Sequence, residues 1–279
     1  MKNIVNRGRQ LIQSSKIVRR TYKNWVKVGM ALKLMKFPLV AINKKGVRVI
    51  ITDYSNLVSD YLMTYYNIKF EHNEEFTDPF AVFLYNEYKY LSKCRNVEIL
   101  DIGANIGDSS LFFVINGATT VIAVEPYPSN FSNLVENIQN NKLESKIIAI
   151  NAVLGCKSDN IKININKEIT TGSDVVESSE GYNIRELTLQ DFILLYNLNN
   201  AYLKMDCEGC EYKSILTSSK DVLRKFSRIQ IEYHYGYEDL VNRLRNCNFR
   251  VSYTKPKSEY NRCAKNPNMS VGYIYALRI

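Results

Sequence analysis

The chain has 279 residues and a formal net charge of +9. Its 46% hydrophobic and 23% charged residues are typical of a globular protein with a sizeable core, which excludes a collagen-like or disordered chain. The first 52 residues contain 13 Lys and Arg and no acidic residue, whereas the other 227 carry 24 basic and 28 acidic side chains. This asymmetry argues against a uniformly basic nucleic-acid binder.

The N-terminal residues 1–36 have the pattern of a basic amphipathic helix. Apolar side chains recur there every seven positions, at Ile4, Leu11, Val18, Trp25 and Leu32. The pattern predicts one or two helices, broken near Gly29 and ended by Pro38. Such a helix suits an anionic membrane surface, packing on the rest of the chain, or an RNA backbone. We take peripheral membrane contact through residues 1–36 as the prediction.

Residues 46–95 read as a lead-in to a regular domain. Residues 47–53 have the alternation of a strand, and the aromatic stretch 79–92 favours a helix. The sequence contains neither an apolar signal region nor a run of about 18 apolar residues, so we expect a cytoplasmic protein.

From residue 97 strands and helices alternate. Buried strands are predicted at 97–102, 120–125, 146–153, 201–206 and 228–234. After the third strand, residues 161–166 alternate and a polar loop follows, up to a capping box at Thr188 and Asp191. The last two strands, 249–254 and 270–279, have no helix between them and should pair antiparallel.

These elements predict an α/β fold, with a mostly parallel sheet that ends in an antiparallel strand pair and an N-terminal helical extension. The expected domains are the extension at 1–45, the lead-in at 46–95 and a ligand-binding domain at 96–279. In such a sheet ligands bind at the carboxyl ends of the strands.

A glycine-containing turn follows the first strand of this domain. Its candidate ligand-binding residues are Asp101, Gly103, Asn105, Gly107 and Asp108. A dinucleotide-binding turn would have glycine at 105 and 108, so a nicotinamide cofactor is disfavoured. The two acids would repel a pyrophosphate and suit a ligand with a cationic centre.

Glu125 ends the second strand, where a carboxylate can accept both hydroxyls of a ribose. A solvated strand end is the alternative for an isolated acid. A ribose, a cation and no pyrophosphate together fit S-adenosylmethionine (SAM).

Two blocks of sequence resemble a known family. ILDIGANIGDSSLFF and VIAVEPYPSNFSNLVENIQNN resemble the cofactor-binding half of class I SAM-dependent methyltransferases. LKMDCEGCEYKSIL at 203–216 and IQIEYH at 229–234 resemble the FkbM family, whose hallmark is an acid-rich D-x-E-G-x-E turn after a strand. The likeness covers about residues 80–279 and implies a Rossmann-like class I methyltransferase fold.

The resemblance also implies roles for residues. Gly103, Asn105 and Gly107 would line the methionine part of SAM and Glu125 would hold the ribose. Asn151 would lie near the adenine, although an ordinary loop asparagine is the alternative. The end of the fourth strand would place three acids beside the sulfonium: Asp206, Glu208 and Glu211.

Family members methylate hydroxyl oxygens, and a hydroxyl needs a base to become a good nucleophile. His234 ends the fifth strand and has a suitable intrinsic pKa, with a hydrogen-bonded structural role as its alternative. Glu208 is the competing base. A third reading gives these groups a Mg²⁺ ion that acidifies the acceptor, although no spacing supports it. Its ligands would be Asp206, Glu208, Glu232 and His234.

Cys207 and Cys210 depart from the family pattern, in which small apolar residues are more usual at these places. In a cytoplasmic protein we expect both to be reduced and packed at the strand end. A local disulfide and a zinc site are the alternatives, but zinc would need two further ligands.

The sequence therefore predicts a SAM-dependent methyltransferase that modifies a hydroxyl oxygen of a glycan, glycolipid or small metabolite. The acceptor pocket would be built from the loops 168–183 and 255–268 and from the extension. One alternative is an RNA methyltransferase, because the segment VENIQNN also resembles RNA enzymes. The acid turn lacks their N-P-P-aromatic motif, so nucleic acid is disfavoured. A second alternative is a non-catalytic protein of this fold that docks on an anionic surface.

Overall fold

The computed structural model describes residues 15, 17–34, 36–52, 54–69, 79–84, 86–157, 159–163, 181–256 and 269–279. The positions of Ile4 and Leu11 in the predicted helix lie outside these residues. So do most of the two loops predicted to form the acceptor pocket.

The chain forms two compact units. The first comprises Met1–Glu87 with Gln139–Lys142, and the second comprises Tyr88–Ile138 with Leu143–Ile279. The boundary predicted at residue 45 falls in the turn of a hairpin of the first unit.

In the first unit, residues 15 and 17–21 are helical. Its further elements are helix α1 (Trp25–Lys33), strands β1 (Leu39–Ile42) and β2 (Arg48–Ile51), helix α2 (Tyr54–Tyr66) and a π-helix at Phe80–Leu84. The two strands pair antiparallel in register. Among the described residues, no helix is both long and apolar enough to span a membrane.

The break in the N-terminal helix lies at residues 22–24, so the expectation of a break near Gly29 is wrong. The amide of Lys23 donates to the carbonyl of Ile42 in β1, and the amide of Ile42 donates to the side-chain oxygen of Asn24. These bonds divert the chain from helical pairing, whereas Gly29 continues α1 without interruption. The single helix expected over 79–92 is also wrong, because the π-helix gives way to turns.

The second unit contains a seven-stranded sheet in the order β11–β12–β10–β9–β3–β4–β5. Its strands are β3 (Glu98–Ile102), β4 (Thr120–Val124), β5 (Ile147–Ile150), β9 (Ala201–Met205), β10 (Phe226–Tyr233), β11 (Phe249–Tyr253) and β12 (Gly272–Arg278). The helices are α3 (Asp108–Ile115), α4 (Pro128–Asn140), α5 (Leu189–Tyr196), α6 (Cys210–Thr217), α7 (Lys220–Leu223) and α8 (Glu238–Asn246).

Five strands run parallel, and β12 lies between β10 and β11, antiparallel to both. The predicted fold, including the antiparallel pair, is confirmed. The carboxyl ends of β3, β4, β9 and β10 therefore lie along one edge of the sheet.

A three-stranded sheet, ordered β6–β8–β7, interrupts the alternation. It consists of β6 (Ala152–Leu154), β7 (Asp159–Ile163) and β8 (Tyr182–Leu187). The sequence predicts a polar loop over 182–187, whereas the structure has a strand there. The strand forms because Ile184 and Leu187 are buried. The carboxylate of Glu186, which is also buried, accepts a hydrogen bond from the Cys156 amide. The capping box predicted at Thr188 and Asp191 is confirmed.

The core of the second unit should depend on β10, whose Ile231 is fully buried. We expect Ile231→Ala to lower the free energy of unfolding by about 2–5 kcal/mol, because it leaves a cavity in the sheet core. Leu194→Ala is the matched control, since this leucine is 71% exposed, and it should change stability by less than about 0.5 kcal/mol. Urea denaturation measures both values, and equal effects would contradict this account of the core.

Candidate functional site

The turn between β3 and α3, residues 101–108, is here called the glycine loop. Its backbone has positive φ at three alternate positions, Gly103 (72°), Asn105 (50°) and Gly107 (94°). Glycine and asparagine tolerate this left-handed region best, which explains the spacing G-x-N-x-G. The amides of Gly103 and Ala104 both donate to the carbonyl of Val124 at the end of β4.

Lys204 is a buried cation at the centre of the site. Its Nζ lies 3.3 Å from Asp101 Oδ1 and donates to the carbonyl oxygens of Ile102 (3.2 Å) and Gly103 (2.7 Å). Burial alone would lower the pKa of Lys204, but the carboxylates of Asp101, Asp206 and Asp108 raise it above its usual value. The lysine is therefore charged and fixes the start of the glycine loop.

Asp101, near the end of β3, and Asp108, the first residue of α3, are both buried. The Oδ2 atom of Asp101 accepts from the hydroxyls of Ser109 and Ser110, each at 2.7 Å. Asp108 begins the helix, where a carboxylate is favoured by the helix dipole. With Lys204 as its other neighbour, Asp101 organises the loop from beneath.

Glu125 joins the glycine loop to the end of β4. Its Oε2 accepts from the Asn105 amide (2.9 Å) and its Oε1 from the Tyr127 amide (3.0 Å). Burial raises the pKa of Glu125 to about 7, although these bonds oppose the shift. The Asn130 side chain also donates to this carboxylate, which with about four lone-pair sites retains capacity for one further donor such as a ribose hydroxyl.

Asn151 separates β5 from β6. Its amide nitrogen donates to the carbonyls of Glu125 (2.9 Å) and Pro126 (3.0 Å), and its oxygen accepts from Tyr182 (3.0 Å). The side chain that the sequence assigns to the adenine thus holds the segment after β4, beside Glu125.

The turn between β9 and α6, residues 206–211, is here called the acid turn. Glu211 is buried and ties the turn together, because its carboxylate accepts from the amides of Cys207 (3.0 Å) and Gly209 (2.8 Å). Asp206 and Glu208 remain partly exposed, and Glu208 has a left-handed φ of 57°. Glu211 therefore has a structural role, whereas Asp206 and Glu208 are accessible to solvent.

His234, at the end of β10, is buried among all three acids of the turn. Its Nδ1 lies 3.2 Å from Glu211 Oε1, and its Nε2 lies 3.0 Å from Glu208 Oε2 and 3.8 Å from Asp206 Oδ1. Burial would lower the pKa of His234, but the bond to Glu211 and the three negative charges raise it to about 10. At neutral pH the ring is therefore an imidazolium, hydrogen-bonded to Glu211 through Nδ1 and ion-paired with Glu208 and Asp206 through Nε2.

The glycine loop and the acid turn touch through their backbones. A Cβ added at Gly103 would overlap the carbonyl oxygen of Asp206, and the Asp206 amide donates to Ile102. The predicted site residues Asp101, Gly103 and Asp206 are thus brought together, as are Glu208, Glu211 and His234.

Cys207 and Cys210 form a disulfide within the acid turn, with a Cα–Cα distance of 5.6 Å. The expectation that both are reduced is therefore wrong. Only two residues separate the cysteines, and the turn that leads into α6 brings Cys210 close to Cys207, as a disulfide requires.

Lys204 and Tyr88 are the site residues that the sequence reading missed. The Tyr88 hydroxyl donates to Asp206 Oδ2 at 3.4 Å, and Lys204 Nζ lies 5.4 Å from the centre of its ring. A lysine inside the apolar strand AYLKMD was the available signal, because a buried strand tolerates a charge only beside a partner.

The fold is that of the class I methyltransferases. The chain belongs to the FkbM methyltransferase family, because residues 101–251, more than half of its length, match the methyltransferase FkbM domain. The matched region includes the glycine loop, Glu125, the acid turn and His234.

Solved structures with the same fold are distant in sequence. The FkbM methyltransferase from Methylobacillus flagellatus KT is 14% identical, with a TM-score of 0.43 over 64% of this chain. The chain spans only 43% of that protein. The METTL16 MTase domain is 14% identical, with a TM-score of 0.50 over 93% of this chain and 97% of its own. These likenesses concern the fold alone, and no curated protein matches the chain.

The contact between loop and turn can be tested at Gly103. We expect Gly103→Ala to destabilise the second unit by at least about 2 kcal/mol, because the new Cβ meets backbone and the residue is left-handed. Gly29→Ala is the control. Its Cβ would meet nothing within 4 Å inside α1, and it should stabilise by about 0.5–1 kcal/mol. Thermal unfolding distinguishes them, and a Gly103→Ala protein as stable as wild type would refute the close approach.

The charge state of His234 predicts a pH dependence of stability. Its folded pKa of about 10 lies above its ordinary value of 6.5. Its contribution is therefore fully present below pH 6.5 and is lost as pH rises through about 10. The stability difference between wild type and His234→Gln should shrink over that window, as measured by urea denaturation. A difference that stays constant there would show that the ring is neutral.

Proposed function

We propose that the protein is a SAM-dependent methyltransferase that transfers a methyl group to a hydroxyl oxygen of a glycan, glycolipid or small metabolite. The observation that carries the proposal is the pair of partly exposed carboxylates, Asp206 and Glu208, held by a buried imidazolium. The pair lies directly against the glycine loop, through the approach of Gly103 to Asp206.

The residues present fit SAM. Gly103, which has no side chain, lets the glycine loop pass directly against the backbone of Asp206, so both turns border the same part of the sheet edge. Glu125 retains acceptor capacity for a ribose hydroxyl, and the partly exposed Asp206 and Glu208 suit a cationic ligand rather than a pyrophosphate. When bound, SAM supplies an electrophilic methyl group on a sulfonium.

The acceptor oxygen must lose its proton as it takes up the methyl group. His234 cannot receive this proton at neutral pH, because it is already protonated. Glu208 is the better candidate, since its carboxylate is partly exposed and the imidazolium 3.0 Å from its Oε2 keeps it ionised and in place. His234 then positions Glu208, and Asp206 is the second partly exposed carboxylate that can receive the single hydroxyl proton.

The magnesium alternative fits the arrangement less well. The ligand atoms of Asp206, Glu208 and His234 lie within 4.8 Å of one another, and Glu232 is not part of this group. The imidazolium already supplies a positive charge between the two carboxylates, so a second cation would have to displace its proton. Activity that survives chelation would agree with this assignment.

The acid turn also argues against methylation of a nucleic-acid base. Enzymes that modify amino groups of bases usually carry an N-P-P-aromatic motif after this strand, and this chain has Asp206-Cys207-Glu208-Gly209. Carboxylates suit removal of a hydroxyl proton.

The test is incubation with methyl-labelled SAM and separated glycan, lipid, small-metabolite, RNA and protein fractions. We expect label in the glycan or lipid fraction, or in small metabolites. Label in RNA alone would overturn the acceptor class, and no label in any fraction would favour a non-catalytic protein.

On the acceptor so identified, Glu208→Gln should lower kcat by about 10²–10⁴-fold, because the base is lost. Its affinity for SAM should stay near the wild-type value, because Glu208 acts on the acceptor. Glu136→Gln makes the same change at an exposed site on α4 and should leave kcat unchanged. Normal turnover by Glu208→Gln would remove Glu208 from the mechanism.

A further inference from the structure

An exposed apolar row runs along α1 in the first unit. Val26, Met30 and Leu34 are 52%, 57% and 62% exposed. They are spaced four residues apart and therefore lie on one side of the helix. Three large apolar side chains in line are more than the scattered exposure of an ordinary surface.

This row differs from the seven-residue stripe seen in the sequence. Val18 and Leu32 of that stripe are buried, as is Val28, so the stripe packs into the first unit. Trp25 is 40% exposed, and its ring centre lies 5.7 Å from the guanidinium of Arg19. The exposed row is thus left over after the core of the unit is formed.

Positive charge surrounds the row. Lys27 and Lys33 are exposed, and a helical repeat of 3.6 residues puts them on opposite sides of it. Lys23 and Arg20 are exposed just before the helix. No Asp or Glu occurs in the first 52 residues, so no carboxylate of that stretch neutralises these cations.

We propose that α1 docks this protein on an anionic lipid bilayer, with Val26, Met30 and Leu34 inserted among the lipids. Apolar side chains flanked by lysines match the layers of a bilayer surface from acyl chain to headgroup. The lysines meet anionic headgroups, and each adds about fivefold to the affinity near such a surface.

An RNA backbone fits the same surface less well. Lysines can bind phosphates, but a row of aliphatic side chains between them gains nothing from a polyanion and would be desolvated without a partner. The apolar row therefore selects the bilayer. The inference rests on the first unit alone and does not depend on the proposed enzymatic function.

The test is flotation of the full-length protein with two kinds of vesicle, pure phosphatidylcholine and a mixture with phosphatidylglycerol. We expect binding to the mixed vesicles that weakens with salt. Met30→Glu should reduce that binding by at least about tenfold, because it puts a charge into the row. Leu194→Glu makes the same apolar-to-acid change on exposed α5 and should bind like wild type.

Charge is tested separately. Replacing Lys27 and Lys33 by Gln should weaken binding by about 25-fold, at fivefold for each lysine. The matched control replaces the exposed Lys213 and Lys220 by Gln and should have little effect. Circular dichroism verifies that each variant is folded, since all these positions are exposed.

Three outcomes would overturn the proposal. The first is no flotation of wild type with mixed vesicles, including the case in which RNA retains the protein instead. The second is equal flotation of wild type and Met30→Glu. The third is a wild-type dimer that Met30→Glu converts to a monomer, which would show that a second copy covers the row.

Discussion

The site is built on one buried ion pair, between Lys204 and Asp101. The two residues are directly opposite each other on neighbouring parallel strands, β9 and β3. Two charges taken out of water are stable only when each satisfies the other and their remaining bonds are made. Here the ammonium also binds the carbonyls of Ile102 and Gly103, and the carboxylate binds two serine hydroxyls at the start of α3. The pair therefore sets the path of the glycine loop and the position of the helix together.

The acid turn follows from this arrangement, because Asp206 comes two residues after Lys204 on the same strand. Its amide binds Ile102, whose carbonyl also binds the lysine. A second cation, His234, then gathers the acids from the neighbouring strand. Lys204 is paired with Asp101, and His234 is paired with the acids of the acid turn. Each is charged because burial is outweighed by nearby carboxylates.

Local patterns in the sequence predict the parallel strands and the two turns well. The glycine loop could be located because positive φ demands glycine or asparagine at fixed positions. The antiparallel pair could be predicted from the absence of a helix between 249–254 and 270–279. The capping box likewise predicts the start of a helix from the four residues Thr188 to Asp191.

Long-range interactions account for what the sequence reading missed. The protonation of His234 depends on Glu211 and Glu208, which are more than 20 residues away in sequence. The partner of Lys204 is 103 residues before it. The break before Trp25 arises from pairing with β1, not from the glycine in the helix. The formation of β8 likewise depends on pairing with β6 at 152–154. Each of these interactions joins residues that are far apart in the sequence, so a local sequence pattern cannot predict it.

The position of β12 has a consequence for the order in which the protein can be made. This strand lies between β10 and β11, although both precede it in the chain. During synthesis, β11 has no neighbour in the sheet until residues 272–278 have left the ribosome. The β10 edge, which leads to His234, is likewise uncovered until then. The edge of the sheet that leads to His234 is thus completed only after β12 has been made, so a nascent chain cannot assemble it from β10 and β11 alone.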